Sequence, residues 1–190
     1  GFKKFFNIEE VINKNEIPYG EHCYVNTKED GSLGILFNYN DEWVLSSKGS
    51  FTSDQAIKGR QILEKYPKYK ELDKGAYYIF EIIYPENRII VNYGKEEKLV
   101  LLSIFDPGFE FNPFTVYHTA KATGFEHTEY DTKRIPENKE ELLKIIKELR
   151  DQDDENKEGF VLRFYPSNYR VKVKFEEYFR LHSLITECSN

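Results

Sequence analysis

Apolar and polar residues alternate along this chain in short stretches, and the pattern predicts strands more often than helices. Residues 24–27, Tyr-Val-Asn-Thr, read as a strand with Tyr24, Asn26 and Lys28 on one face and Val25 and Thr27 on the other. Gly31 offers the positive φ of a tight turn, and the apolar run 33–37 reads as the returning strand of a hairpin. Residues 42–46 predict a third strand. Residues 76–84 are almost continuously apolar, the pattern of a strand buried on both faces, with Glu81 in the middle. Pro85-Glu86-Asn87 turns the chain, so 88–93 is expected to pair back as a hairpin partner. Further strands are expected at 98–105, from Glu158 to Phe164, and at 170–175. In the last, Arg170, Lys172 and Lys174 share one face and Val171, Val173 and Phe175 the other.

Helical spacing is rarer. Ser53 is a good N-cap for a helix reaching about Tyr66, with Ala56, Ile57, Gly59, Ile62 and Leu63 along one side and Pro67 ending it. A short helix is expected at 114–123. The clearest lies at 138–150, with Leu142, Leu143, Ile145, Ile146 and Leu149 inward and Lys and Glu outward. Residues 2–7, aromatic and basic, read as an edge piece, and the charge run 151–157 as a solvated loop. The sum is one α+β domain spanning 1–190, mostly antiparallel strands with flanking helices.

Composition sharpens this picture in three ways. Aromatic residues make up 16% of the 190, which suits strands. A net charge of −6 argues against broad, non-specific nucleic-acid binding, so any polyanion must be met by a local cluster of Lys and Arg. Cys23 and Cys188, and His22, His118, His127 and His182, are too scattered for a disulfide framework or a zinc site. No apolar run approaches the length of a membrane span, and an intracellular, cytoplasmic setting is the expectation.

Three features carry candidate chemistry, each with a plain alternative. Lys28-Glu29-Asp30-Gly31 holds an amine and carboxylates near a turn, or is a solvated hairpin tip. Residue frequencies give Lys-x-Asp-Gly by chance in roughly one such chain in twenty to thirty, so the motif alone decides nothing. Glu81 in an apolar strand needs a cation, hydrogen bonds or a proton; a structural pairing with Arg88 would also serve. The three cations of 170–174 repel one another unless something anionic sits above them, or they are the wet side of a sheet.

Taken in order, Lys28-x-Asp-Gly, Ser47-Lys48-Gly49, Phe80-Glu81, Glu158-Gly-Phe-Val161 and Lys172-x-Lys174 resemble the motifs of the covalent nucleotidyltransferase superfamily of DNA ligases, RNA ligases and mRNA capping enzymes. The flanking text, Lys4-Phe-Phe-Asn7, Thr27 to Leu33, Asn87-Arg-Ile89, Tyr178 and Leu181-His-Ser183, is similar to the RNA ligase 1 family of T-even phages, over about residues 4–183. That resemblance implies the nucleotidyltransferase fold of a ligase adenylation domain and an ATP-dependent RNA ligase. Lys28 would attack the α-phosphate of ATP to give lysyl-AMP. AMP would then move to a 5′-phosphate RNA end, which a 3′-hydroxyl would seal. A free lysine titrates near ~10.4, so the resemblance implies activating neighbours: Lys48, Lys172, Lys174 and Mg²⁺ or Mn²⁺.

By the same resemblance, Lys4 and Lys48 take the terminal phosphates and Lys172 and Lys174 the α-phosphate. Glu81 takes the ribose hydroxyls, Thr27 the adenine edge and Val161 its face, while Tyr178 matches a further site position. Glu158 serves the metal and orients Lys28, with Asp30 assisting as a second metal ligand. The expected partners are ATP and RNA bearing 5′-phosphate and 3′-hydroxyl ends, with the protein acting as a monomer. The family's Arg-Gly segment upstream of Lys4 is not part of this sequence, so a phosphate contact in the first step is expected either to be missing or to come from a part of the protein outside it. No oligonucleotide-binding barrel is expected after the last lysine motif, which favours RNA ligase over DNA ligase or capping enzyme. A nucleotide- or RNA-end-binding module that keeps the pocket without turnover is the alternative.

Overall fold

The computed structural model describes residues 2–128, 130–152, 154 and 156–175. In chain order the elements are β1 (Phe6–Asn7), α1 (Ile8–Val11), β2 (His22–Thr27), β3 (Ser32–Tyr39), β4 (Glu42–Ser47), α2 (Asp54–Leu63), β5 (Tyr77–Ile83) and β6 (Lys98–Asp106). There follow β7 (Phe109–Glu110), α3 (Pro113–Thr123), β8 (Glu126–His127), β9 (Tyr130–Arg134), α4 (Lys139–Arg150), β10 (Gly159–Tyr165) and β11 (Arg170–Lys174). They form two compact units, one from Asp30 to Thr128, the other from Phe2–Glu29 together with the chain after Thr128. Both are built on mainly antiparallel sheets with flanking helices, the α+β class that the patterning predicts. Among the described residues no helix is long and apolar enough to cross a membrane.

The unit from Asp30 to Thr128 is a six-stranded sheet in the order β4-β3-β5-β6-β7, with β8 beside β6. Leu36, Leu45, Phe80, Ile82, Leu99 and Leu101 are almost fully buried and share a core with Ile62 and Leu63 of α2 and Val116 of α3. Helix α2 starts where Ser53 predicts: its hydroxyl accepts the Ala56 amide at 3.1 Å, satisfying one donor left open by the first turn. Asn112 caps α3 in the same way, through the Thr115 amide at 2.8 Å.

The other unit is a five-stranded sheet in the order β1-β11-β10-β2-β9. Val25, Phe160, Leu162, Phe164, Val171, Val173 and Phe175 form one face and pack with Leu142, Ile146 and Leu149 of α4 and with Ile8 and Val11. The strict alternation at 170–175 therefore holds as predicted. Leu143, by contrast, is exposed and Ile145 half-buried, so the apolar stripe of α4 is narrower than its sequence suggests.

Two pairings differ from the pattern. β2 and β3 are not a hairpin: β2 lies between β10 and β9, whereas β3 lies between β4 and β5. The real hairpin is β3–β4, turned by Asn40 and Asp41 at φ 49° and 64°. Gly31 is needed for closeness rather than for a positive φ, because a Cβ there would collide with the Ile82 carbonyl oxygen. Nor do residues 88–93 return along β5. Its partner on that side is β6, from Tyr77 against Phe105 to Ile83 against Lys98. The amides of Ile90 and Val91 are held by a side chain instead, the carboxylate of Asp30, each at 2.9 Å. A segment whose donors are taken by a carboxylate has none to offer a ladder at those positions.

Candidate active site

In the five-stranded unit, three strand ends meet around one carboxylate. Lys28 follows β2, Glu158 precedes β10, and Lys174 ends β11. The Lys28 amide donates to the Gly159 carbonyl at 2.9 Å, and the Phe175 amide to the Glu158 carbonyl at 3.1 Å, which tie the three ends together through the backbone. Gly159 has a φ of 144°, and a Cβ on it would run into the Val173 carbonyl oxygen, so glycine is required beside Glu158.

The side chains converge at the same point. Lys28 Nζ donates to Glu158 Oε2 at 2.8 Å, and Lys174 Nζ lies 3.2 Å from Glu158 Oε1. The Glu158 side chain is 3% exposed; those of Lys28 and Lys174 are 22% and 19% exposed. A carboxylate this deep needs its cations, while both ammoniums keep an edge towards solvent. Directly opposite residues on paired strands share a face. The register pairs Val161 with Lys172 and with Asn26, and Gly159 with Lys174, so Val161, Lys172 and Lys174 lie on one face. Burial first, then the neighbouring Lys174 and Lys28 ammoniums, hold Lys172 below the ordinary lysine value. Glu158 and Glu10 pull it part of the way back.

Of the remaining predicted residues in this unit, Lys4 is exposed, with its ammonium 5.0 Å from the Phe6 ring centre. Thr27 pairs with Phe160, which puts its side chain on the opposite face of the sheet from Lys172. Tyr178 lies outside the described residues.

In the six-stranded unit, Asp30 is 4% exposed and accepts both loop amides already named, while its own amide donates to the Tyr93 hydroxyl at 2.8 Å. Glu81 is half-buried rather than fully enclosed, and its Oε1 accepts the Gly31 amide at 2.9 Å. The Arg88 Nε donates to the Ile90 carbonyl at 3.3 Å. Lys48 is exposed in the turn after β4, closed by the Ser47 amide on the Ser50 carbonyl at 2.9 Å. Sequence reasoning missed the holding roles of Tyr93 and Asn87, the latter bonded to the Ser32 hydroxyl through its Nδ2 at 2.8 Å. No periodicity marks such contacts, because the partners are 55 and 63 residues apart in sequence.

Among the described residues, no group of three or more His, Cys, Asp or Glu is arranged to hold a metal ion. Glu158 is a hard oxygen donor of the kind that would hold a magnesium-like ion. Asp30 is less suited, because the two backbone amides on its Oδ2 cannot swing aside as the lysine ammoniums on Glu158 can.

Residues 1–179 match the family model described as RNA ligase, of the phage T4 RNA ligase 1 type. The chain belongs to this RNA ligase family. Curated relatives of the family member described here include an RNA ligase of Rhodothermus phage RM378, 25% identical over 84% of this chain and 45% of its own. A Thermovibrio ammonificans protein provisionally named an RNA ligase is 28% identical over 100% of this chain and 50% of its own. The chain thus spans about half the length of the curated relatives it matches.

Solved structures share the fold. A mutant of Naegleria gruberi RNA ligase with AMP and Mn superposes with a TM-score of 0.73 at 13% identity, covering 96% of this chain and 58% of that one. An Aquifex aeolicus protein provisionally named an ATP-dependent DNA ligase gives 0.65 at 18% identity, over 94% of this chain and 50% of that one. The ligase adenylation fold expected from the motif order is therefore the fold of this chain.

Proposed function

We propose that this chain performs the nucleotide-transfer chemistry of an ATP-dependent RNA ligase, with Lys28 as the nucleophile. The supporting observation is the meeting of Lys28, Glu158 and Lys174 at three strand ends, in a chain of the RNA ligase family.

In the first step the Lys28 amine, once its ammonium proton has left, attacks the α-phosphorus of ATP. A P–N bond forms, the bond to the bridging oxygen breaks, and pyrophosphate departs. Glu158 aims Nζ, and Lys172 and Lys174 stabilise the charge that gathers on the equatorial oxygens. Lys48 and Lys4 receive the terminal phosphates and Glu81 the ribose hydroxyls. Val161 supports the base, and Thr27 meets its edge through the backbone, since its side chain points to the other face of the sheet. In the second step a 5′-phosphate oxygen of RNA attacks the same phosphorus, the P–N bond breaks, and the Lys28 nitrogen leaves and is protonated. In the third, a 3′-hydroxyl attacks the RNA phosphorus and AMP leaves. A divalent ion held by Glu158 and the phosphates would neutralise phosphate charge. Asp30 is better assigned to holding the 88–93 loop than to the metal.

Incubation with α-labelled ATP and Mg²⁺ tests this reading on a denaturing gel. The chain is expected to retain label, and Lys28→Ala to retain none. An unlabelled native protein, or equal label on Lys28→Ala, would overturn it. Saturable ATP binding without label would point to the non-sealing binding module.

A further inference from the structure

The cation row of β11 does not end at the two lysines. Arg170 lies on the same face, two residues beyond Lys172 and four beyond Lys174, about 13 Å along the strand from Lys174 at the usual rise. Its register partner is Arg163, so two arginines stand directly opposite one another on adjacent strands. Like charges in that position are destabilising. The fold nevertheless holds both in place. Arg163, only 3% exposed, donates from Nε and Nη2 to Asn168 Oδ1 at 3.1 and 2.8 Å, and Arg170 Nη1 reaches the Asn168 carbonyl at 3.5 Å.

Aromatic rings from the N-terminal segment lie along this row. The Phe2 ring centre is 4.5 Å from the Arg170 guanidinium carbon, and the Phe5 ring centre 5.6 Å from Lys172 Nζ. The two rings meet edge to face at 6.2 Å. Ring faces favour a nearby cation and exclude water, so an anion arriving beside them meets charges that are already ordered and partly dry.

We propose that Arg170, with Lys172 beside it, forms a second phosphate subsite at the opposite end of the cation row from Lys28, walled by Phe2 and Phe5. The inference rests on the reading above for its biological ligand, though not for its chemistry. The ligand is a phosphate group, supplied either by the terminal phosphates of a nucleoside triphosphate or by the backbone of bound RNA. Arg170 is half-buried, and its guanidinium is already placed between the Asn168 carbonyl, reached by Nη1, and the Phe2 ring, which suits it to hold a phosphate oxygen through its other donors without first ordering a long side chain.

Three measurements on the full chain and on Arg170→Gln test the subsite: calorimetric titration with inorganic tripolyphosphate, the KM for ATP in self-labelling, and the KM for a 5′-phosphorylated oligoribonucleotide in AMP transfer. At least one is expected to weaken about ten-fold, with kcat little changed and Arg170→Lys recovering part of the loss. A raised KM for ATP identifies the triphosphate as the source. A raised KM for RNA alone, with the salt dependence of binding shallower by about one unit, identifies the RNA backbone.

The inference is overturned if no reading moves by more than about two-fold, since an arginine–phosphate contact of ordinary strength exceeds that. If Arg170→Gln melts lower than the native chain, Arg170→Lys decides: retained anion affinity supports the subsite, and loss equal to that of the Gln variant overturns it. Failure of the native chain to label on Lys28 sinks the ligase reading alone, because the tripolyphosphate titration still judges Arg170.

Discussion

Asp30 and Glu158 are both nearly inaccessible carboxylates, at 4% and 2% exposure, yet they do different things. Asp30, in the six-stranded unit, faces backbone amides that cannot leave. Glu158, in the five-stranded unit, faces two lysine ammoniums on flexible stems. A carboxylate on backbone donors fixes the path of a loop. A carboxylate on lysines holds movable charge that an incoming phosphate can share. The same burial thus holds a loop in one unit and, on the proposed reading, aims an amine in the other, and the partners decide which.

Replacing Glu158 tests the chemical half. Glu158→Gln keeps the shape but releases Lys28 and Lys174, and label transfer to Lys28 should fall about a hundred-fold or more, as misplaced reacting groups do. The melting curve should still show one cooperative transition. A variant that labels normally would show that Glu158 does not aim the amine.

Replacing Asp30 tests the structural half. Asp30→Ala strands two buried amides, at about 1–3 kcal/mol each, so the urea midpoint should drop by the equivalent of roughly 2–6 kcal/mol. Hydrogen exchange at Ile90 and Val91 should quicken selectively. Unchanged exchange there would deny Asp30 its hold on the loop.

The smallest effect concerns Lys172. The fold holds its proton more weakly than the unfolded chain does, so stability should rise with pH between its lowered value and 10.5. At pH values below that window Lys172 carries its full destabilising charge. Lys172→Gln should flatten the rise and leave the protein no less stable at neutral pH, while weakening nucleotide binding. Melting curves taken across the alkaline range, with and without ATP, check both parts. A Gln variant with the native pH slope would assign that slope elsewhere.

Much of the architecture was legible in particular residues. The alternation Arg170-Val-Lys-Val-Lys-Phe175 declares which face is core, Ser53 marks a helix start, and the order of the lysine and glutamate motifs points to the ligase fold. The errors were about partners. The hairpin expected around Gly31 rested on a turn signal, and a turn signal says that the chain bends without saying which strand it joins. The strand expected at 88–93 rested on the turn at Pro85-Glu86-Asn87 in the same way, whereas the Ile90 and Val91 amides are taken by the carboxylate of Asp30, 60 and 61 positions earlier. Arg170 was visible as a third cation, but the register that sets Arg163 opposite it was not, and the Phe2 ring beside it comes from a segment distant in sequence.

Local pattern therefore determined the type of most elements and the core face of strands such as β11, because these follow from side-chain chemistry and a period of two or 3.6. Tertiary structure alone decided that Lys28, Glu158 and Lys174 meet. Lys28 and Glu158 lie 130 positions apart in sequence, and only the register of three paired strands brings them and Lys174 within hydrogen-bond reach.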